Sequence, residues 1–395
     1  MQIARASADA FGSQGYHAVS MGDIAARVGI TPAALYRHSP SKYDLFRDAA
    51  LGLTQLLVDA TAFADDRGGD ADPATTLGAL VSALVDTTIT HRTAGGLYRW
   101  QARHLRGPDR TTLMDQVELV NHRLQRPLAQ LRPGLTASQR WTLATATLSV
   151  IGSITTHSNV LAVGEIRTCM AAIASDILAA DLPTARRSAG DRRAPLSVGA
   201  IAGTYEHVLY EAVRLFYGRG YRNTSMEDIA TAVGIQASGL YRTFPRKAAI
   251  LALAYRRAAD RHSGDLTDVL SRIQDPETAL TELIDAYLNR VMESPEQAYV
   301  YYTERHNLSE SDLRVLDAIE HSMVDAWARL VTAARPEMRI GCARYAVCAA
   351  FVLAVDFNRL VDDYSGSESI ATIRRLMEVT MLGRPAARGP RRGRR

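Results

Sequence analysis

Two stretches of one chain, GYHAVSMGDIAARVGITPAALYRHSPSK (residues 15–42) and GYRNTSMEDIATAVGIQASGLYRTFPRK (residues 220–247), decide how the rest of the sequence is read. Extended back to Phe11 and Phe216, they align without a gap at an offset of 205, with 16 identities in 32 positions. The 395-residue chain is therefore built on an internal repeat. A fainter echo, WQARHLRGPDR from Trp100 against YTERHNLSESDLR from Tyr302, carries the repeat further into each half.

The local chemistry of the repeat is helical. Ile3, Ala6, Ala10 and Phe11 mark one face of a first helix, and Gly15 is placed to end it in the left-handed conformation. Ser20 caps a second helix, with Asp23 at the capping-box position and Ile24, Ala25 and Val28 as its buried stripe. Gly29 ends that helix; Thr31 then caps a third, with Pro32 at its first position, where a missing N–H costs nothing. In the second copy Gln236 and Ala237 replace that pair and make a weaker start. Helix, tight glycine turn and short helix form a helix-turn-helix.

In such a unit the third helix enters the DNA major groove, and polar groups beside it fix the register on the phosphates. Arg37 and Arg242 are the candidates for bidentate contact with guanine. Of 46 basic residues only Lys42 and Lys247 are lysine, and each closes one copy of the repeat. An ammonium is a point charge approachable from several directions, so both are expected to clamp phosphate. The alternative is two solvated lysines inherited through duplication.

Composition narrows the rest. With 47% hydrophobic and 22% charged residues the chain is globular, and a net charge of +4 with pI near 9.0 hints at a polyanionic partner. Cys169, Cys342 and Cys348 show no metal-ligand spacing and are expected as buried, reduced thiols of a cytoplasmic protein, with no metal and no cofactor. The N-terminus lacks the apolar core of a leader, and the uncharged run from Trp141 to Gly164 is too polar to span a bilayer, so no membrane role is expected. HExxH, GxSxG, a phosphate loop, a dinucleotide fingerprint and CxxC are all missing, which argues against an enzyme.

The two quoted stretches resemble the DNA-binding signature of TetR-type transcriptional regulators, and the whole chain is similar to the tandem TetR-type repressors of actinobacterial lipid-import operons. The resemblance implies an all-α fold of two units, each a three-helix head on a helical ligand-binding and pairing domain, arranged as a pseudo-dimer within one chain. The expected limits are a first head at 1–48, its helical domain at 49–182, a flexible linker at 183–200, a second head at 201–253, its helical domain at 254–383 and a basic tail at 384–395. It further implies that Pro32, Ala33, Ala34 and Arg37 face bases while Ser20, Tyr36, His38 and Lys42 hold phosphates. In the second head the base-facing set is Ala237, Ser238, Gly239 and Arg242, and the phosphate set is Thr224, Ser225, Tyr241, Thr243 and Lys247. Thr31 and Gln236, at the starts of the third helices, count among the contacting positions. The partners implied are double-stranded operator DNA and a small apolar effector of acyl or sterol type, with a further homodimer left open.

The two copies differ where they would read DNA, so the best operator is expected not to be a perfect palindrome. Ser39 stands where the family pattern has an aromatic, kept as Phe244, and residues 201–257 carry eight basic groups against four acids while 1–50 carry five against four. The second head is therefore expected to bind more strongly, and in the extreme the first serves only for packing. Trp141–Ala162 with Cys169–Ala180, and Cys342–Leu360 with Ile370–Leu382, read either as the surface pairing the halves or as the core of each domain. Trp100, Arg103 and His104, mirrored by Tyr302, Arg305 and His306, read either as the wall and cation of an effector pocket or as a contact to the heads. A DNA-compacting protein without effector is the other function the charge pattern allows.

Overall fold

The computed structural model describes residues 2–66, 72–157, 159–183, 204–360 and 367–384, and among them every regular element is a helix. The first half contains α1 (Gln2–Gln14), α2 (Met21–Val28), α3 (Pro32–His38), α4 (Lys42–Thr61), α5 (Pro73–Thr90), α6 (Gly96–Trp100), α7 (Gly107–Leu131), α8 (Ala137–Gly152) and α9 (Val163–Leu178). The second repeats the order with α10 (Thr204–Arg219), α11 (Met226–Val233), α12 (Ala237–Thr243), α13 (Lys247–Arg272), α14 (Pro276–Glu293), α15 (Pro295–Thr303), α16 (Glu310–Ala334), α17 (Ile340–Leu360) and α18 (Ser367–Leu382). The expected linker and basic tail lie outside the described residues, apart from Pro183 and Arg384. Residues 48 and 253, where the sequence divides head from body, fall inside the continuous helices α4 and α13, so each head shares a helix with its body.

Each head is specified by caps. The Ser20 hydroxyl accepts the Asp23 N–H at 3.1 Å while the Asp23 carboxylate accepts the Ser20 N–H at 2.8 Å, and Ser225 with Asp228 repeats the exchange at 3.0 and 2.8 Å. Gly29 and Gly234 end their helices at φ 74°, a conformation that costs a residue with a side chain about 1–2 kcal/mol. Thr31 caps α3 by accepting the Ala34 N–H at 3.2 Å, whereas Gln236 gives α12 no side-chain cap, as the residue types predict. Phe11, Ile24, Leu35 and Phe46 fill the first head, and Phe216, Ile229, Leu240 and Ile250 the second. Phe244 is buried and stacks on Tyr205 with centroids 5.2 Å apart; Ser39 is buried at the matching place without a ring.

Both readings of the late helices hold at once. α8 packs on α7 of its own half with one face and on α17 of the other half with another, while α9 packs on α17 and α18. One apolar core consequently runs through both halves, from Leu80, Leu124 and Ile151 to Leu283, Ala346 and Leu376. α17 contains the one described segment long and apolar enough to cross a membrane, at mean hydropathy 1.7, but 72% of it is buried inside this fold.

The cysteine expectation needs correction. Cys169 of α9 and Cys342 of α17 are joined as a disulfide between the halves, with Cα atoms 5.6 Å apart, and only Cys348 remains as a buried thiol. Sequence could not show it, because 173 residues separate the partners and only the packing of α9 on α17 brings them together. Peptide mapping of unreduced, denatured protein should recover the two cysteines on one linked peptide and alkylate Cys348 alone. Cys169→Ser should lower the unfolding free energy by about 2–4 kcal/mol.

Candidate nucleic-acid interface

The short helices α3 and α12 each bury one anchor, Leu35 or Leu240, and leave the opposite face to solvent. On α3 the exposed set is Pro32, Ala33, Tyr36, Arg37 and His38 with Thr31 at its start, and Ala34 is half-buried. On α12 Ser238, Tyr241, Arg242 and Thr243 are exposed after Gln236, while Ala237 and Gly239 are half-buried. Neither Arg37 nor Arg242 has a hydrogen bond or ion pair among the described residues, so both guanidinium forks are free to meet a base edge. Tyr241 donates its hydroxyl to Glu227 at 3.2 Å, which leaves its ring on the surface.

Several expected phosphate contacts are otherwise engaged. Thr224 is buried, and its hydroxyl donates to the carbonyls of Gly220 at 3.0 Å and Leu215 at 3.3 Å, so it does not face a phosphate. The hydroxyls of Ser20 and Ser225 remain exposed but each donates to its capping carboxylate at 2.7 Å. Both lysines turn inward. Lys247 donates to the carbonyls of Tyr221 and Thr224, with its ammonium 4.3 Å from the Tyr221 ring centroid; Lys42 reaches the His17 carbonyl at 3.5 Å and lies 4.6 Å from the Tyr16 ring. Partial burial lowers both ammonium pKa values. Each lysine fastens the turn between the first two helices of its head, a task suited to a slim ammonium that fits among converging carbonyls and sits over a ring.

That turn is also where head meets body and half meets half. Glu304, almost fully buried, pairs with Arg103 of the other half and accepts the Tyr221 N–H of the second head at 3.4 Å. Trp100 stacks on Tyr302 with centroids 4.6 Å apart and planes 10° from parallel. His104 stacks on Tyr16 at 5.1 Å and meets His17 edge-on at 4.7 Å. The His306 ring lies 2.5 Å from where a Cβ on Gly15 would stand, so Gly15, at φ 76°, is required by both conformation and space.

The six residues expected around an effector therefore divide. Trp100, Arg103, His104 and His306 form the junction and line neither of the two cavities found in the second half. Tyr302 lines an inner cavity of about 130 Å³, and Arg305 an outer one of about 320 Å³. Four of the six echo residues thus meet at the junction; the cavity walls come mainly from α13 to α17, with the segment that follows α8 of the first half.

Family comparison agrees with this geometry. The domain described as "Bacterial regulatory proteins, tetR family" matches residues 3–49 and again 208–254, the two helix-turn-helix heads with the helices around them. Both heads belong to the tetR family. Among curated relatives, the chain is 28% identical over 127 residues to the HTH-type transcriptional repressor KstR2 of Mycolicibacterium smegmatis, a match covering 32% of this chain and 61% of that protein. The structure of the ketosteroid transcriptional regulator KstR2 of Mycobacterium tuberculosis is similar at 18% identity, over 47% of this chain and 96% of that one, with a TM-score of 0.41. PfmR of Thermus thermophilus is similar at 20% identity, over 45% of this chain and 99% of that one, with a TM-score of 0.40.

If Lys247 fastens the turn, Lys247→Met lowers the melting temperature of the second head but leaves the slope of log affinity against log salt unchanged on DNA; a phosphate contact would reduce that slope by about one. Burial, reinforced by Arg103, lowers the pKa of His104 from 6.5 to about 3 and that of His306 to about 4. The folded chain resists protons that the unfolded chain takes up, so stability present above pH 6.5 is lost as pH falls through the interval down to those values. Thermal melts between pH 7 and about 4.5 should show that decline, and His104→Gln with His306→Gln should flatten it.

Proposed function

We propose that this chain is a ligand-responsive transcriptional repressor that holds an operator without perfect twofold symmetry, using both heads of one molecule as a pseudo-dimer. The observation that carries this reading is the pair of heads with one fold and two different sets at the start of the third helix, Pro32-Ala33-Ala34 against Ala237-Ser238-Gly239, both with an exposed, unpaired arginine one turn on. Dimeric helix-turn-helix proteins place two heads on successive major grooves about 34–36 Å apart. Here the second head arrives on the same polypeptide, at an effective concentration in the roughly millimolar range, so association of two chains need not limit binding. The match to a transcriptional repressor supports repression. The resemblance to regulators of lipid import supports genes of lipid or sterol transport and breakdown as the targets, with a lipid-like effector.

Gel shifts on the DNA upstream of its own gene test the reading. Arg37→Ala and Arg242→Ala should each weaken binding by about 1–3 kcal/mol, and symmetrised sites made from either half-operator should bind less tightly than the natural one. Native mass spectrometry should find one chain per operator. Equal affinity for natural and symmetrised sites would refute the two-head reading, and loss with only one of the two arginine variants would show that a single head reads sequence.

A further inference from the structure

The two bodies share a helix order but not an interior. α7 and α16 are both 25 residues long, and α8 and α17 pack beside them in the same order. In the first half Asn121 of α7 donates to the Thr145 hydroxyl of α8 at 2.8 Å, both buried, and Gln125 completes the network by donating to Asn121 at 2.6 Å. The equivalent positions of α16 and α17 hold Val324 and Cys348, and these two side chains line both the inner and the outer cavity. A hydrogen-bonded bridge in one half is replaced by the walls of a hollow in the other.

The hollow has two kinds of wall. Its inner part is bounded by Tyr287, Phe351, Met323 and Val355, and at about 130 Å³ it approaches the roughly 150 Å³ of an apolar protein cavity that takes up benzene. The outer part, about 320 Å³, is walled by Arg305, Asp317, Glu320 and His321 of the second half and by Thr155, His157 and Asn159 of the segment that follows α8 in the first. Thr156, His157 and Glu320, like Val324 and Cys348, belong to both. The first half thus supplies one side of a cavity sunk in the second.

The polar groups select the occupant. Arg305 is already neutralised by Asp317 and by Glu320, the latter at 2.8 Å, and Arg290 is paired with Asp265; Arg261 lies exposed at the rim. An anionic head group would meet Asp317 and Glu320 without a buried cation free to receive it. Arg92 donates through Nη2 to the carbonyls of His157 at 2.6 Å and Asn159 at 3.0 Å, and the same nitrogen lies 3.4 Å from His157 Nδ1. The other ring nitrogen of His157, Nε2, donates or accepts according to the tautomer. That Nε2 is buried without a partner, on the wall common to both cavities. Burial also holds the ring neutral, with its pKa lowered to about 3.

We infer that the chain binds one uncharged amphiphile across its two halves: a ring-sized or branched apolar body in the inner cavity, and a carbonyl or hydroxyl oxygen in the outer one near His157. This rests on the reading of the chain as a ligand-responsive regulator and gives that ligand a place, a stoichiometry and a charge. Isothermal titration calorimetry of the full chain without DNA compares 4-tert-butylcyclohexanone with 4-tert-butylcyclohexanecarboxylate, which share an apolar body. The ketone should bind at one per chain and at least about tenfold more tightly than the carboxylate. Val324→Phe, which fills the wall, and Val324→Asn with Cys348→Thr, which transplants the first half's bridge, should each weaken ketone binding at least about tenfold with helicity by circular dichroism retained. Carboxylate binding as tight as ketone binding, two ketones per chain, no uptake of either probe, or ketone binding unchanged in both variants would overturn the inference. Gel shifts of the same preparations on upstream DNA separate the two readings: ketone uptake without preferred DNA defeats the regulator and spares the cavity, and preferred DNA without ketone uptake does the reverse.

Discussion

Everything in this molecule depends on the contact of α8 and α9 with α17 and α18. Buried alanines are frequent in these helices, Ala144 and Ala146 in α8 and Ala343, Ala346, Ala350 and Ala354 in α17, and small side chains let packed helices approach closely. The surface so formed is continuous with the core of each half and is pinned at one edge by the Cys169–Cys342 disulfide. Neither body can bury its late helices without the other. The position of each head is therefore a property of the whole chain, and any change in the angle between bodies is passed to both heads through α4 and α13, which run unbroken from head to body.

The cavity and the heads share one short element. α15 presents Tyr301 and Tyr302 to the inner cavity, and within four residues the chain reaches Glu304, which holds Arg103 and the Tyr221 N–H, and His306, which closes on Gly15. A ligand shifts an equilibrium only by its differential affinity for the two states. An occupant that displaces the Tyr302 ring loosens its stack on Trp100 and with it the junction at both turns. A buried ion pair is a suitable latch for this purpose: it adds little stability over a hydrophobic isostere, but separating its partners leaves an uncompensated charge.

What the sequence reveals follows the reach of each interaction. Capping boxes, glycine terminators and the buried stripes of α2 and α11 act within one or two turns, and they are legible residue by residue. The lysines stand out by their rarity, but their role depends on carbonyls 23 to 26 residues away that no spacing rule connects to them. The disulfide and the head junction involve residues of opposite halves, and periodicity within one helix carries no information about them. The motif from Trp100 offers two readings, and its residues divide between them: Trp100, Arg103, His104 and His306 meet at the junction, whereas Tyr302 and Arg305 line cavities. The hollow does leave a trace in the sequence: laying α7 and α8 over α16 and α17 sets a polar pair against Val324 and Cys348, a change of core chemistry inside a duplicated unit.

That change also has an energetic sense. Apolar wall residues that face a cavity lack partner atoms on one side and forgo packing contacts that a filled interior makes. The first half demonstrates that the same helix order can be closed by one amide and one hydroxyl. At matching places the chain has a hydrogen-bonded bridge in one body and a cavity wall in the other, so the two interiors differ. The first body is cross-tied there by Asn121 and Thr145 and by the buried Arg123, which is bonded to Thr61 and Asp65. The second body holds the slack, and an occupant that restores its missing contacts tightens that body alone. If the proposed occupant tightens the second body, the bundle shared by α8, α9, α17 and α18 is the route by which one small molecule would reach both heads.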